Sequence, residues 1–325
     1  MINPVIAEVT RGGIVESRHR GSYVVVNREG TVVAAEGAIG AAVFPRSAVK
    51  AFQCLPVVES GAAERFGFTD EEISLCCSSH NGEAEHVRVA RSMLAKAENA
   101  EADYECGAHW PIYQPASFAL IRAVGECAQV HNNCSGKHAG MLALAKQLKA
   151  DPHGYTQKDH PVQKAIAGRM GELCDVDLDQ QPWGIDGCSV PTWAIPLKNM
   201  ALGFARFTDP ENAAAQRIIG AVRAYPFMVA GSERFDTVVM EKVPRVFMKT
   251  GAEGVYCGCV PHAGLGIALK CDDGAGRAAE VAMATVLAGL DCWTEEEQVA
   301  LEGFRHHTLS NWRKLEVGEV VGNGL

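Results

Sequence analysis

The sequence has no run of about 18 or more apolar residues, so no membrane-spanning helix is expected. Its first residues, MINPVIAEVTRGG, lack the basic stretch followed by an apolar one that marks a secretory signal. The protein is therefore expected to stay in the cytoplasm. Basic residues are neither abundant nor clustered: 30 Lys and Arg stand against 39 Asp and Glu, for a net charge of −9. That argues against a nucleic-acid groove. There is no internal repeat, no low-complexity tract and no linker rich in Pro, Gly or Ser, so a single domain over residues 1–325 is expected. Neither C-x-x-C nor H-x-x-x-H occurs, so spacing alone offers no metal site.

What is present is ordinary globular composition, with 47% hydrophobic and 21% charged residues over 325 positions. That is enough chain to bury a sizeable core. The 12 cysteines are many. In a chain of this size without a secretory signal they read as reduced thiols, mostly small buried hydrophobes.

Strand patterns lie at both ends and helical patterns between them. Tyr23-Val24-Val25-Val26, the turn residues Asn27 to Gly30 and Thr31 to Ala34 read as a hairpin. A helical pattern starts at Ser47 and runs through Phe52 and Leu55, with Pro56 expected to kink or end it. Glu83 to Ala97, Met141 to Leu148 and Pro161 to Leu173 continue the helical theme. Strands return at Val246 to Met248, leading into Lys249-Thr250-Gly251. Gly254 to Cys257 and Leu265 to Leu269 then flank a turn at Pro261 to Gly264, and Arg277 to Leu290 reads as a final helix. The expected fold is mixed α/β, or α+β. Its sheet is mainly antiparallel with packed helices, strands from both termini share it, and residues 60–180 are mostly helical.

Ser47-Ala48-Val49-Lys50 is an S-x-x-K sequence at an expected helix start. Three-residue spacing puts hydroxyl and amine on one helical face. A serine hydroxyl needs a base to become a nucleophile, and a lysine can be that base only when its amine is neutral. Backbone N–H groups at a helix amino end can also hold an oxyanion. Alone the motif is near background, the bland reading being a surface serine and a snorkelling lysine. Ser79-His80-Asn81 and Lys249-Thr250-Gly251 follow in the order of the serine β-lactamases and penicillin-binding proteins. Element order agrees with motif order. Histidine stands where those enzymes carry the aspartate of S-D-N, and no deacylating glutamate has a clear counterpart, which weakens a lactamase assignment.

The chain resembles the rhizobial, or class 3, L-asparaginase family, which carries two serine–lysine pairs. The matching segments are Glu16 to Gly21, Phe44 to Gln53, Cys77 to Glu83, Gly107 to Pro111, Asn132 to Gly140, Asp186 to Pro191, Pro226 to Thr237 and Lys249 to Gly254. The resemblance implies hydrolysis of L-asparagine to aspartate and ammonia by a single catalytic domain. It also implies a fold like that of serine β-lactamases and glutaminases, assembly as a homodimer and no organic cofactor. Ser47 with Lys50, and Ser79 with Lys249, fall on the two catalytic pairs. Cys134, Lys137 and Cys188 fall on a zinc site close to the nucleophile.

Other residues keep open readings. Arg46 is either a fork for the substrate carboxylate or a surface arginine. Asp186 either accepts from the substrate ammonium, orients a metal ligand, or simply forms an Asp-Gly turn. Asn81 orients Ser79 or touches substrate. His138 and His109 are substrate contacts or core histidines, with His109 read as structural. Periodicity does not choose between Ser78 and Ser79, and Lys270 competes with Lys249 as the partner of Ser79. Another serine amidohydrolase of the same fold, either a glutaminase or a penicillin-recognising enzyme, is the alternative function. A non-catalytic protein that binds an amino acid or a metal is a third.

Overall fold

A computed structural model describes residues 2–323. Over the described residues the backbone divides into two units, one of residues 2–48, 195–208 and 239–323, the other of residues 49–194 and 209–238.

The first unit holds an eight-stranded sheet in which every pairing is antiparallel. Its path runs His306–Ser310, Glu316–Gly322, Val5–Arg11, Ile14–Asn27, Leu265–Cys271, Val255–Val260, Phe247–Gly251. Ile14–Asn27 is the long central strand. Its first half pairs with Val5–Arg11, and its second half with both Leu265–Cys271 and the hairpin partner Val32–Glu36. The β-branched run Tyr23 to Val26 is fully buried there, as expected of a strand covered on both faces.

Two helices supply that cover. Gly266 brings the sheet against the Leu197–Phe207 helix, since a Cβ there would lie 2.0 Å from the Ala201 carbonyl. Gly258 stands opposite Ile267 and so faces the other side, where Met283 of the Gly276–Ala288 helix lies. The mixed α/β architecture with a mainly antiparallel sheet and packed helices is therefore what the sequence pattern foretold.

The second unit is helical. At its centre is Ser135–Gln147, buried without interruption from Ser135 to Ala145, as a helix enclosed on all sides must be. Small residues permit this. A Cβ on Gly136 would lie 2.4 Å from the Leu75 carbonyl, at the end of the Asp70–Cys76 helix. Helices Lys50–Glu59, Ala84–Lys96 and Pro161–Cys174 pack around the same core.

One alternative and one expectation are settled by the structure. Of the two readings of Pro56, a kink or an end, the end does not hold, since the first long helix runs from Lys50 to Glu59 with the proline inside it. Burial of Val57 and Val58 beyond it is worth roughly 1.5–3 kcal/mol each, enough to offset the lost hydrogen bond. The helix at Gly276–Ala288 is not the last element either. Glu295–Phe304 follows, then the strands His306–Ser310 and Glu316–Gly322. The first of those strands is mostly exposed and the second is broken by glycine, so hydrophobic pattern alone passes over them. Among the described residues no helix is long and apolar enough to cross a membrane. Ten of the 12 cysteines are buried.

Candidate active site

In the second unit the chain leaves the Asp70–Cys76 helix and becomes extended through Ser79 and Asn81. Their N–H groups donate to the carbonyls of Val229 and Ala230 at 2.8 Å, and His80 N–H donates to the Asn133 carbonyl at 3.1 Å. This tethering on both sides fixes which serine faces Lys50. Lys50 Nζ donates to Ser79 Oγ at 3.0 Å and to the Ser78 backbone carbonyl, while Ser78 Oγ is buried with no hydrogen-bond partner. The third contact of Lys50 Nζ is Cys134 Sγ at 3.0 Å. The amine is fully buried, and its three contacts match the three donors of an ammonium.

Cys134, at the start of the central helix, continues the network. Its thiol donates to Asn133 Oδ1 at 3.0 Å and is electrostatically coupled to Cys188, whose Sγ accepts from Lys137 Nζ at 2.9 Å. A chain of polar contacts thus runs from Ser79 through Lys50, Cys134 and Cys188 to Lys137. The electrostatics divide the two cysteines. The hydrogen bond from Cys134 holds Cys188 far below the usual thiol range against the effect of burial, with Lys137 and His138 adding to it. The same contact with Cys188, together with burial, pushes Cys134 well above that range. Burial alone pulls Lys137 down, but the attraction of Cys188, Cys134 and Asp186 overcomes it and leaves the amine raised. The candidate donor set is therefore two sulfurs and one lysine nitrogen, all buried. Two sulfurs and a nitrogen suit zinc. Loading such a site requires Cys134 and Lys137 each to give up a proton.

His138 is fully buried. Tyr155 O–H lies 2.6 Å from its Nδ1 and itself accepts the Glu105 N–H at 3.0 Å. With Nδ1 as acceptor, the ring proton falls on Nε2. That atom has no partner in hydrogen-bonding geometry, although Cys188 is its electrostatic neighbour. Asn81 is held by its own side chain: Nδ2 donates to Glu83 and to the Ser232 carbonyl, and Oδ1 accepts from Arg234 at 3.2 Å. The Asp186 carboxylate accepts the Gly187 N–H at 2.8 Å, and the Asp186 carbonyl accepts the Ser189 N–H at 2.9 Å, which closes an Asp-Gly turn. His109 Nε2 accepts the Asn133 N–H at 2.9 Å, a structural bond.

His80, the histidine that stands in place of the S-D-N aspartate, accepts the Gly82 N–H at Nδ1, and its Nε2 lies 2.9 Å from Ser135 Oγ, a residue given no role from sequence. Glu83 accepts from Ser232 N–H and Oγ at 2.8 and 2.7 Å and so secures Asn81. All of these fall within the matched segments Cys77 to Glu83, Asn132 to Gly140 and Pro226 to Thr237, which is the signal that marks them, whereas Tyr155, the partner of His138, lies outside every matched segment.

Arg46, Ser47 and Lys249 belong to the first unit. Arg46 has φ +52°, a left-handed conformation costly for a non-glycine residue, directly before the partly exposed Ser47. The Pro45–Ala48 turn is closed by an N–H to carbonyl bond of 3.0 Å and lies against Gly251 of the terminal strand Phe247–Gly251. A Cβ on Gly251 would sit 2.5 Å from the Pro45 carbonyl and 3.2 Å from the Ala48 nitrogen. The K-T-G strand and the Ser47 turn are thus neighbours, far apart in sequence. Lys249 is fully buried, and its Nζ donates to the Thr250 carbonyl at 2.7 Å. Lys270 Nζ bonds the carbonyls of Glu253 and Cys271 at 2.5 and 2.6 Å.

The sequence model of the L-asparaginase II family matches residues 7–321, nearly the whole chain. The protein belongs to the L-asparaginase II family, a family of hydrolases. Among curated proteins none matches significantly. Solved structures give distant likenesses. A β-lactamase from Mycobacterium bovis is 12% identical, over 87% of this chain and 94% of that one, with a TM-score of 0.42. A protein described as Mglu is 12% identical, over 80% of this chain and 64% of that one, with a TM-score of 0.43. An octameric penicillin-binding protein homologue from Pyrococcus abyssi is 12% identical, over 82% and 73%, with a TM-score of 0.32.

Proposed function

We propose that the protein hydrolyses the side-chain amide of L-asparagine to aspartate and ammonia. Ser47 Oγ attacks the amide carbon while Lys50 takes its proton, and backbone N–H groups receive the charge on the carbonyl oxygen. The C–N bond breaks as the Ser79–Lys249 pair delivers a proton to the nitrogen, which leaves as ammonia. Water then cleaves the aspartyl ester and restores the Ser47 hydroxyl. Arg46 holds the α-carboxylate and Asp186 the α-ammonium. Asn81, fixed by Glu83 and Arg234, orients the amide, and His138 acts from behind Cys188. Location in the cytoplasm and assembly as a homodimer belong to the same reading.

The observation that supports it is the buried Lys50 amine 3.0 Å from the Ser79 hydroxyl, a contact that links one member of each proposed pair, in a chain of the L-asparaginase II family. A lysine with no solvent around it and a serine hydroxyl against it is placed for proton transfer rather than for solubility. Cys134, Lys137 and Cys188 would hold zinc, which when bound supplies a Lewis acid for the substrate or a brace for the pocket. The decisive experiment compares ammonia release from asparagine and glutamine with turnover of a chromogenic lactam. Lactam turnover with inert asparagine would overturn the assignment, as would asparagine binding with no ammonia formed.

A further inference from the structure

The first unit contains a second convergence of ligating groups that the proposed reaction does not use. His19 lies on the central strand Ile14–Asn27, Cys271 ends the neighbouring strand Leu265–Cys271, and Asp273 sits in the turn that follows. Their ligand atoms all lie within 4.8 Å of one another. Asp273 bridges the other two: one carboxylate oxygen is 2.7 Å from His19 Nδ1, and the other accepts from Cys271 Sγ at 3.0 Å.

The backbone fixes this arrangement. Cys271 is paired with Gly21, two residues from His19, and Asp272 N–H donates to the Arg20 carbonyl at 2.8 Å. Gly274, at φ +78°, closes the turn, and Ala275 N–H anchors Asp273 Oδ1 at 3.0 Å. His19 and Cys271 are buried, and His19 Nε2 is buried with no hydrogen-bond partner. Only one bond to a carboxylate therefore orients the ring. The Asp273 side chain is 50% exposed, which leaves a path from solvent and room for a water ligand.

We propose that His19, Cys271 and Asp273 form a binding site for a divalent d-block cation of the zinc class. Imidazole, thiolate and carboxylate are the three donor types that zinc accepts, at bond lengths of about 2.0–2.3 Å. Ligands at those lengths lie about 3–4 Å apart, so small side-chain rotations bring this set onto one ion. Hard cations would not choose the sulfur, which selects against magnesium and calcium. Binding replaces the Cys271 thiol proton, so a proton leaves as the cation enters.

Cobalt(II) is the probe, because a cobalt–thiolate bond gives a near-ultraviolet charge-transfer band. In the Cys134→Ser/Cys188→Ser chain, cobalt is expected to produce that band, and adding Cys271→Ser is expected to remove it. No band in the double variant, or a band that survives Cys271→Ser, overturns the site. Should those variants fold poorly, Asp273→Asn in the otherwise unaltered chain is expected to hold one zinc fewer than its parent. Equal zinc content would overturn the site and leave the three groups as a hydrogen-bonded staple.

Discussion

Lys50 and Ser79 meet Nζ to Oγ across 3.0 Å, with the lysine fully buried and the serine 5% exposed. The amine also touches Cys134 Sγ, so one side chain joins a hydroxyl to the thiol pair at Cys134 and Cys188. For Lys50 to accept a proton, one of its contacts must reverse, with a serine O–H donating to the nitrogen lone pair. Ser79 can reverse; the Ser78 carbonyl cannot.

Lys50→Met keeps much of the side-chain volume and removes the amine. Asparaginase turnover is expected to fall by about 10³-fold or more, since general-base loss alone is worth roughly 10²–10⁴. Adding Ser79→Ala should cost little more, because members of one proton relay fail as a unit. Ammonia release with both variants checks this, and multiplying losses would mean that the two residues act separately.

Ser47→Ala should lower kcat by several orders of magnitude with its folding unchanged, since it removes the attacking oxygen. Mass spectrometry of the quenched wild-type reaction should find the aspartyl ester on Ser47. Near-normal turnover in the variant, or an ester on Ser79, would transfer the nucleophile role.

Much of this was legible in the sequence, and the remainder failed for identifiable reasons. The hairpin around Asn27 to Gly30 is written in β-branched runs and turn residues, and the Ala84–Lys96 helix in apolar spacing. The strands His306–Ser310 and Glu316–Gly322 are not, because one is exposed throughout most of its length and the other is glycine-punctuated. Likewise no local pattern says that Gly251 backs onto Pro45. That contact joins positions about 200 residues apart and exists only once the sheet has formed. Periodicity could not choose Ser79 over Ser78, whereas the bonds to Val229 and Ala230 do.

Cys134→Ala should abolish zinc retention, measured by elemental analysis after equilibration and desalting. It removes one sulfur of the set and also the hydrogen bond that holds Cys188 down. Zinc content equal to the parent would show that these residues are not ligands.

Gly251→Ala tests the closeness of the K-T-G strand to the Ser47 turn. The added methyl would lie 2.5 Å from the Pro45 carbonyl, a backbone atom that cannot rotate away. Overpacking of this kind costs about 1–3 kcal/mol, so Tm should fall measurably. Turnover should fall further than stability explains, because the turn that moves carries Ser47. An unaltered Tm and kcat would show that the turn yields freely.

The pH dependence of stability has a specific source in the Arg245–Glu297 pair. Glu297 is nearly buried at the start of the Glu295–Phe304 helix, where it closes a capping box with Thr294. Arg245 Nε approaches its two oxygens at 2.9 and 2.8 Å. The guanidinium, opposed by burial and helped by the Thr294 N–H, holds the carboxyl down to about 2. An unfolded glutamate titrates near about 4.3. Between those values the unfolded chain takes up a proton that the folded chain refuses, so stability falls as pH falls through this window. Above it the contribution is fully present. Glu297→Gln can still cap the helix but cannot pair with the guanidinium. Its Tm should lie below that of the wild type at pH 7, with the gap narrowing from about pH 5 toward pH 2. Other acid-titrating groups are common to both chains and cancel in the difference. A gap that stayed constant over that range would mean that the pair contributes through shape rather than charge.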